Sequence, residues 1–192
     1  MSPGDGARSR PENRAVFLDR DGVINRVVVR DGRPWSPPSL GELEILPGVE
    51  AAIRALRAAG FLVIVVTNQP DVATGKQSRA VVEAMHRALA ERLMIDDFKV
   101  CYEVEHKTSR HYKPKPGMLL EAAKQYGIDL RRSFMVGDRW RDVGAGRAAG
   151  CFTIFIDYGY KERRPDNPDA SVASLLEAAE IILGRSVEDG TK

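Results

Sequence analysis

Five short apolar runs set the rhythm of the chain: AVFLD at 15–19, FLVIVVTN at 61–68, KVCYEV at 99–104, SFMVGD at 133–138 and FTIFID at 152–157. They are rich in Val, Ile and Phe and nearly continuous rather than alternating, the pattern of strands covered on both faces. Between them the apolar positions change to helical spacing. Val49, Ile53 and Leu56 fall on one face of a segment that has Pro47 near its start and Gly60 as its stop. Ser78 opens a second helical segment as an N-cap. Pro116 and Gly127 bracket a third, Gly150 ends a fourth, and a last helix is read over 171–183. Alternating units of this length predict an α/β fold of three Rossmann-like layers, with a central parallel sheet between helices.

In such a sheet ligands collect beyond the carboxyl ends of the strands, and that is where the polar residues cluster. Strand one ends in Asp19-Arg20-Asp21-Gly22, strand two in Thr67-Asn68-Gln69, and strand four in Gly137-Asp138 with Asp142 a turn later. If strand one lies between the other two, these ends converge in one cleft. Lys113 and Lys115 return towards it from the segment after strand three. Carboxylates two positions apart share a side in an extended chain and repel unless a cation, a proton or a hydrogen-bond network offsets them.

Clustered carboxylates and backbone oxygens suit a hard divalent cation, most simply Mg²⁺. Such an ion also binds a phosphate oxygen. A hydroxyl, backbone amides and a lysine can hold the remaining phosphoryl oxygens. One carboxylate can attack phosphorus, and the other can exchange a proton with the leaving oxygen and then with water. The bland reading is a solvated strand end. Thr67 and Asp138 at matching strand ends weigh against it.

Composition narrows the class. The chain has 192 residues, 43% of them hydrophobic and 29% charged, which suits one soluble domain with one sizeable core. Residues 1–13 read as a flexible leader, 14–185 as the single domain and 186–192 as a frayed tail. The leader has no apolar stretch of the secretory kind, and no run is long enough to span a membrane. With 29 basic against 27 acidic residues, the charge of +2 argues against a dominant nucleic-acid surface. Two cysteines, Cys101 and Cys151, are too few for a disulfide framework and suit a reducing, cytoplasmic setting. The stretches 26–46 and 105–115 read as long functional loops.

FLDRDGVIN, VVTNQ, KPKPG and MVGDRWRD, in that order, resemble the four motifs of the haloacid dehalogenase superfamily. The DRDG signature followed by Asn25 is closest to its subclass IIIA phosphatases, which include enzymes acting on heptose bisphosphate and on histidinol phosphate. The resemblance covers about 15–160 and implies a capless fold. It implies Asp19 as nucleophile and Asp21 as general acid/base. Mg²⁺ would be held by Asp19, the carbonyl of Asp21, and Asp138, and the transferring phosphoryl group by Thr67 and Lys113. It suggests Asn68, Gln69, Lys115 and Arg139 as substrate contacts, with Asp142 orienting the metal site.

The chain departs from that pattern on its loops. Heptose enzymes of the subclass carry a structural zinc loop after strand three. Here Cys101 holds the first ligand position, while Glu103, Ser109 and His111 stand at the others. Cys101, His106 and His111 supply three ligands at most where four are wanted, so structural zinc is not expected. Lys115 stands where those enzymes usually have His, Tyr112 where they have Arg, and Thr74 where they often have Arg.

Other residues keep two readings. Asp142 also suits a helix N-terminus. Trp35 either lines the entrance or covers the sheet edge. Trp140 is read as packing under the site, and His86 as a surface or structural residue. Lys107, Arg110 and His111 either bind a second phosphate or polyanion or form a solvated charge run, the latter being the usual outcome.

The expected function is Mg²⁺-dependent hydrolysis of a small phosphorylated sugar or metabolite by a monomer, through an aspartyl-phosphate. Competing readings are a phosphatase of histidinol phosphate, a nucleic-acid 3′-phosphatase, and a non-catalytic phosphosugar-binding module. Salt-dependent DNA binding would mark the second of these. Asp19→Asn separates an enzyme from the third.

Overall fold

The computed structural model describes residues 13–105 and 109–189. Strand β1 (Arg14–Leu18) leads into a hairpin of β2 (Val28–Arg30) and β3 (Arg33–Trp35), then helix α1 (Val49–Ala58) and strand β4 (Phe61–Asn68). A single turn, α2 (Pro70–Ala73), precedes α3 (Arg79–Arg92) and strand β5 (Asp97–Cys101). Helix α4 (Gly117–Tyr126), strand β6 (Phe134–Gly137), helix α5 (Trp140–Ala149), strands β7 (Phe152–Ile156) and β8 (Ala170–Val172), and helix α6 (Leu175–Asp189) complete the order.

Among the described residues six strands form one parallel sheet in the order β5-β4-β1-β6-β7-β8. The three-layer α/β expectation holds, and β1 lies between β4 and β6 as the convergence of polar ends requires.

The continuous apolar runs follow from two cores, one on each face. Val16 and Leu18 of β1 join α1 and α6 through Ile53, Leu56 and Ile182. Ala15 and Phe17 point the other way, onto Met118, Leu119 and Ala122 of α4 and Ala145 of α5. Both sets are fully buried, and each large side chain removed from water contributes roughly 1.5–3 kcal/mol. A strand with one polar face would lose half of that, so alternation is absent here for an energetic reason.

Three differences from the sequence reading bear on the site. The stretch 26–46 is not a plain loop: β2 and β3 pair across Asp31-Gly32, both at positive φ (53° and 77°). That is the conformation that a two-residue hairpin turn demands, and Asp-Gly supplies it. Residues 171 and 172, read as the start of the last helix, belong instead to the edge strand β8 (Ala170–Val172), and α6 runs from Leu175 on to Asp189. Strand β5 begins at Asp97, ahead of the apolar run, and ends at Cys101. The leader read over 1–13 lies outside the described residues except Asn13, whose backbone bonds Gly127 and Asp129. Among the described residues no helix is long and apolar enough to cross a membrane.

Candidate active site

Asp19 follows the last residue of β1, and its backbone N–H still bonds the Val136 carbonyl of β6 at 3.0 Å. This leaves its carboxylate at the sheet's carboxyl edge, 7% exposed. Lys113 Nζ lies 3.0 Å from Asp19 Oδ1 and 2.6 Å from Asp142 Oδ1, and donates to the Val66 carbonyl at 2.7 Å. Burial works against the Lys113 charge, but the Asp142 and Asp19 carboxylates outweigh it and hold the amine above the ordinary lysine range. Asp19 is pushed up to about 6, first by burial and next by Asp142, with Lys113 opposing.

Asp21 is not on the strand. The chain turns after Asp19, and Asp21 forms an isolated bridge with Asn25, so its placement comes from the loop rather than from strand alternation. Arg20, fully buried, turns its guanidinium back onto that carboxylate, with Nη2 at 2.9 Å from each oxygen. Asn25 Nδ2, Ser36 Oγ and Gln69 Nε2 also donate to Asp21, at 2.9, 2.7 and 2.9 Å. Burial opposes ionisation, but the Arg20 charge and these donors hold the carboxyl below the ordinary range. The other arm of Arg20, Nη1, meets His86 Nε2 of α3 at 3.2 Å. His86 is therefore a buried partner of the DRDG loop.

Asp138, at the end of β6, faces the same point. Both its oxygens are buried without a hydrogen bond of ordinary geometry; the Tyr160 phenol biases their charge from outside that range. Burial and then the Asp19 and Asp142 charges raise its carboxyl well above the usual value. Buried carboxylate oxygens left unpartnered are costly, and a cation is the natural partner. One oxygen each from Asp19, Asp138 and Asp142 lie within 4.8 Å of one another. Asp142 is already committed, to Lys113 through Oδ1 and to the Arg139 backbone N–H through Oδ2, at 2.9 Å, as part of the α5 cap. An all-oxygen set fits Mg²⁺, with Asp138 and the second oxygen of Asp19 left to hold it, since Asp19 Oδ1 takes Lys113 and the Arg20 backbone N–H.

The rest of the expected set divides in two. Thr67 accepts from Gln69 Nε2 at 3.0 Å, which leaves its hydroxyl hydrogen for a ligand. Asn68 clamps the Lys113 backbone from both sides, Oδ1 accepting from N and Nδ2 donating to O, at 3.1 and 3.2 Å. Gln69 is 2% exposed and spans Asp21 and Thr67. Arg139 lines the cleft and pairs with Glu162.

Lys115 is not among the residues lining the cleft. Its Nζ donates to the Ser109 carbonyl at 2.5 Å, ordering the loop. Of the candidate zinc set, Cys101 is buried, His111 sits 3.3 Å from Glu121, and His106 lies outside the described residues, as does Lys107. The cleft holds about 480 Å³, floored by Asp19, Asp21, Thr67, Asp138 and Lys113. Trp35 is 40% exposed on its wall. Trp140 is also on the wall rather than beneath the site, with the Arg141 and Arg163 guanidinium groups 4.5 and 4.8 Å from its ring.

Residues 35–150 match the haloacid dehalogenase-like hydrolase family. The chain belongs to that family. A D-glycero-beta-D-manno-heptose-1,7-bisphosphate 7-phosphatase of Rhodopseudomonas palustris is 41% identical over 158 residues, covering 74% of this chain and 82% of its own. A D-glycero-D-manno-heptose-1,7-bisphosphate 7-phosphatase of Thermosynechococcus vestitus is 33% identical over 191 residues, covering 88% and 94%. The solved structure of a D,D-heptose 1,7-bisphosphate phosphatase from B. bronchiseptica, complexed with magnesium and phosphate, matches with a TM-score of 0.76. Its identity is 31%, over 90% of this chain and 99% of that one. The chain is thus a phosphoric monoester hydrolase of the haloacid dehalogenase-like kind.

Within this hydrolase, sequence reasoning passed over three supports of the site, Arg20, Gly22 and Ser36, and read His86 as surface or structural without its link to Arg20. A charged residue inside an apolar strand end was a signal for Arg20. Nothing local marked Ser36 or His86, which reach Asp21 and Arg20 only through the tertiary fold.

Proposed function

We propose that the chain is a Mg²⁺-dependent phosphatase that removes the 7-phosphate of a D-glycero-D-manno-heptose 1,7-bisphosphate through an aspartyl-phosphate at Asp19. The observation that carries this reading is the pairing of Asp19 with Lys113 beside the unpartnered oxygens of Asp138, at the floor of an open cleft. The names of the relatives supply the substrate class.

Asp19, the Asp21 carbonyl and Asp138 would hold the ion, which when bound supplies positive charge to a phosphoryl oxygen and to the buried carboxylates. Lys113 and the Thr67 hydroxyl hold the other phosphoryl oxygens. Asp19 Oδ attacks phosphorus in line, the P–O bond to the sugar breaks, and Asp21 gives the leaving oxygen a proton. That proton enters Asp21 from solvent, against the Arg20 charge that favours the ionised carboxylate. Asp21 then removes a proton from water, which attacks the aspartyl-phosphate, releases phosphate and restores Asp19. Asn68 keeps Lys113 in place, and Gln69 joins Asp21 to Thr67. In this reading the enzyme works as a cytoplasmic monomer.

The test is phosphate release from heptose 1,7-bisphosphate with Mg²⁺, by wild type and Asp19→Asn. Wild type should turn over, and the variant should lose on the order of 10³-fold or more. Phosphate release equal in both proteins, or absent from both, would overturn the reading.

A further inference from the structure

We propose that Arg33 and Lys161, with Trp35 beside them, form the subsite for the second, untransferred phosphate of a sugar bisphosphate. The inference rests on the phosphosugar reading above and extends it to residues outside the four motifs.

Besides Lys113, five cations line the cleft: Arg33, Arg139, Arg141, Lys161 and Arg163. Three are already neutralised. Arg139 pairs with Glu162, Arg141 with Glu105 at 2.5 Å, and Arg163 with Asp166 at 2.5 Å. Among the described residues Arg33 and Lys161 form no ion pair. The cleft also carries Asp19, Asp21, Asp71, Asp138, Asp142 and Glu162. A second phosphate therefore meets strong repulsion unless it sits against uncommitted positive charge.

The two cations are held together by backbone. The Lys161 N–H donates to the Gly32 carbonyl at 2.8 Å. Its stem crosses the hairpin turn so closely that a Cβ on Gly32 would stand 2.7 Å from both Cγ and Cδ. Arg33 is the next residue. Arg33 and Trp35, two positions apart on β3, share one face of the strand, and both line the cleft. The exposed indole offers an apolar surface to the C–H face of a sugar ring. Just past β3, Ser36 donates to Asp21, so the same hairpin that presents this pair also braces the acid/base carboxylate. The subsite thus joins the paired strand β3 to the Lys161 segment, which is bonded to the hairpin turn through backbone. Its ligand class is a sugar with a phosphate at the end remote from the transferred one.

The test compares kcat/KM for heptose 1,7-bisphosphate with that for heptose 7-phosphate, in wild type, Arg33→Met, Lys161→Met and Lys161→Arg. Wild type should prefer the bisphosphate. Each Met variant should lower that preference about ten- to a hundredfold, the range of one lost charged hydrogen bond, with the change carried by KM. Lys161→Arg should keep most of it. A preference unchanged in both Met variants, or a parallel fall on both sugars, overturns the subsite. Wild type active on both sugars without preference overturns the subsite alone. Wild type inert on both overturns the phosphosugar reading and the subsite with it.

Discussion

An ideal Cβ at Gly22 would stand 1.9 Å from Asp138 Oδ2, far inside any permitted contact, and the backbone there has φ +85°. Two demands meet at this residue. The loop must turn left-handed, and Asp138 must come close to it. Gly60 separates them, because it has the same φ of +85° but nothing within 4 Å of its added Cβ. Gly60→Ala should cost about 1–2 kcal/mol of stability from the backbone alone and leave phosphate release unchanged. Gly22→Ala should cost a similar amount and also push Asp138 off its position. Titration calorimetry should then show Mg²⁺ affinity down by about tenfold or more, the scale of losing one well-placed ligand contact. Equal Mg²⁺ binding by the two variants would mean that the approach of Gly22 to Asp138 is not what shapes the ion site.

Helix α5 shows how an element positions a charge. Its N-terminus is closed by Asp142, whose Oδ2 accepts the Arg139 N–H while Oδ1 holds Lys113. The helix-terminus reading of Asp142 thus accounts for Oδ2, while Oδ1 is taken by Lys113, a partner the sequence reading did not assign to it. Asp142→Asn tests the division. The amide oxygen can still cap the helix, so thermal unfolding should shift by no more than about 1 kcal/mol from the cap. Lys113 then loses one of its two anionic partners, and phosphate release should fall about ten- to a hundredfold. Asp142→Ala should lose both functions. If Asn and Ala variants unfold alike, the cap is not a separate contribution.

The same element scale shows what was legible beforehand. Runs such as FLVIVVTN announced β4 because both faces are buried, and the polar ends of β1, β4 and β6 announced the cleft because strand order brings them together. The hairpin was readable in principle from Asp31-Gly32 but was obscured by Pro34 and by exposed Val29, which break the alternation of a half-buried strand. Edge strand β8 has three residues and no apolar run, so its pairing with β7 exists only in the folded context. Asp21 was placed by the wrong local geometry. Its carboxylate reaches the site because Arg20, Asn25, Ser36 and Gln69 draw it there, and two of those four, Ser36 and Gln69, lie 15 and 48 residues away in the chain.

For the whole molecule, stability against pH should carry the mark of His86. Its ring stacks on Phe98, with centroids 4.8 Å apart, and Nε2 faces Arg20. Arginine only donates, so Nε2 must accept and the ring is neutral. Burial first, and the Arg20 charge second, lower its pKa from 6.5 to about 4. The folded-state value lies below the unfolded one. This contribution is thus fully present above pH 6.5 and is lost as pH falls from 6.5 to about 4, where the unfolded chain takes up a proton that the native state refuses. The whole shift is worth at most about 3 kcal/mol. Asp21 and Glu83 pull the other way, and the value of about 4 already includes their opposition. Asp19 acts in the opposite sense over much of the same range, since its raised carboxyl favours the native state as pH falls through about 6. Absolute stability curves therefore mix the two. The difference between wild type and His86→Gln does not, because glutamine can still accept from Arg20 and does not titrate. Urea unfolding of both proteins in EDTA, from pH 7.5 to 4, should give a constant difference above pH 6.5. Below it, wild type should lose about 2–3 kcal/mol relative to the variant by pH 4. Parallel curves across the whole range would show that His86 takes up its proton as readily in the folded chain as in the unfolded one, and that Arg20 does not hold it neutral.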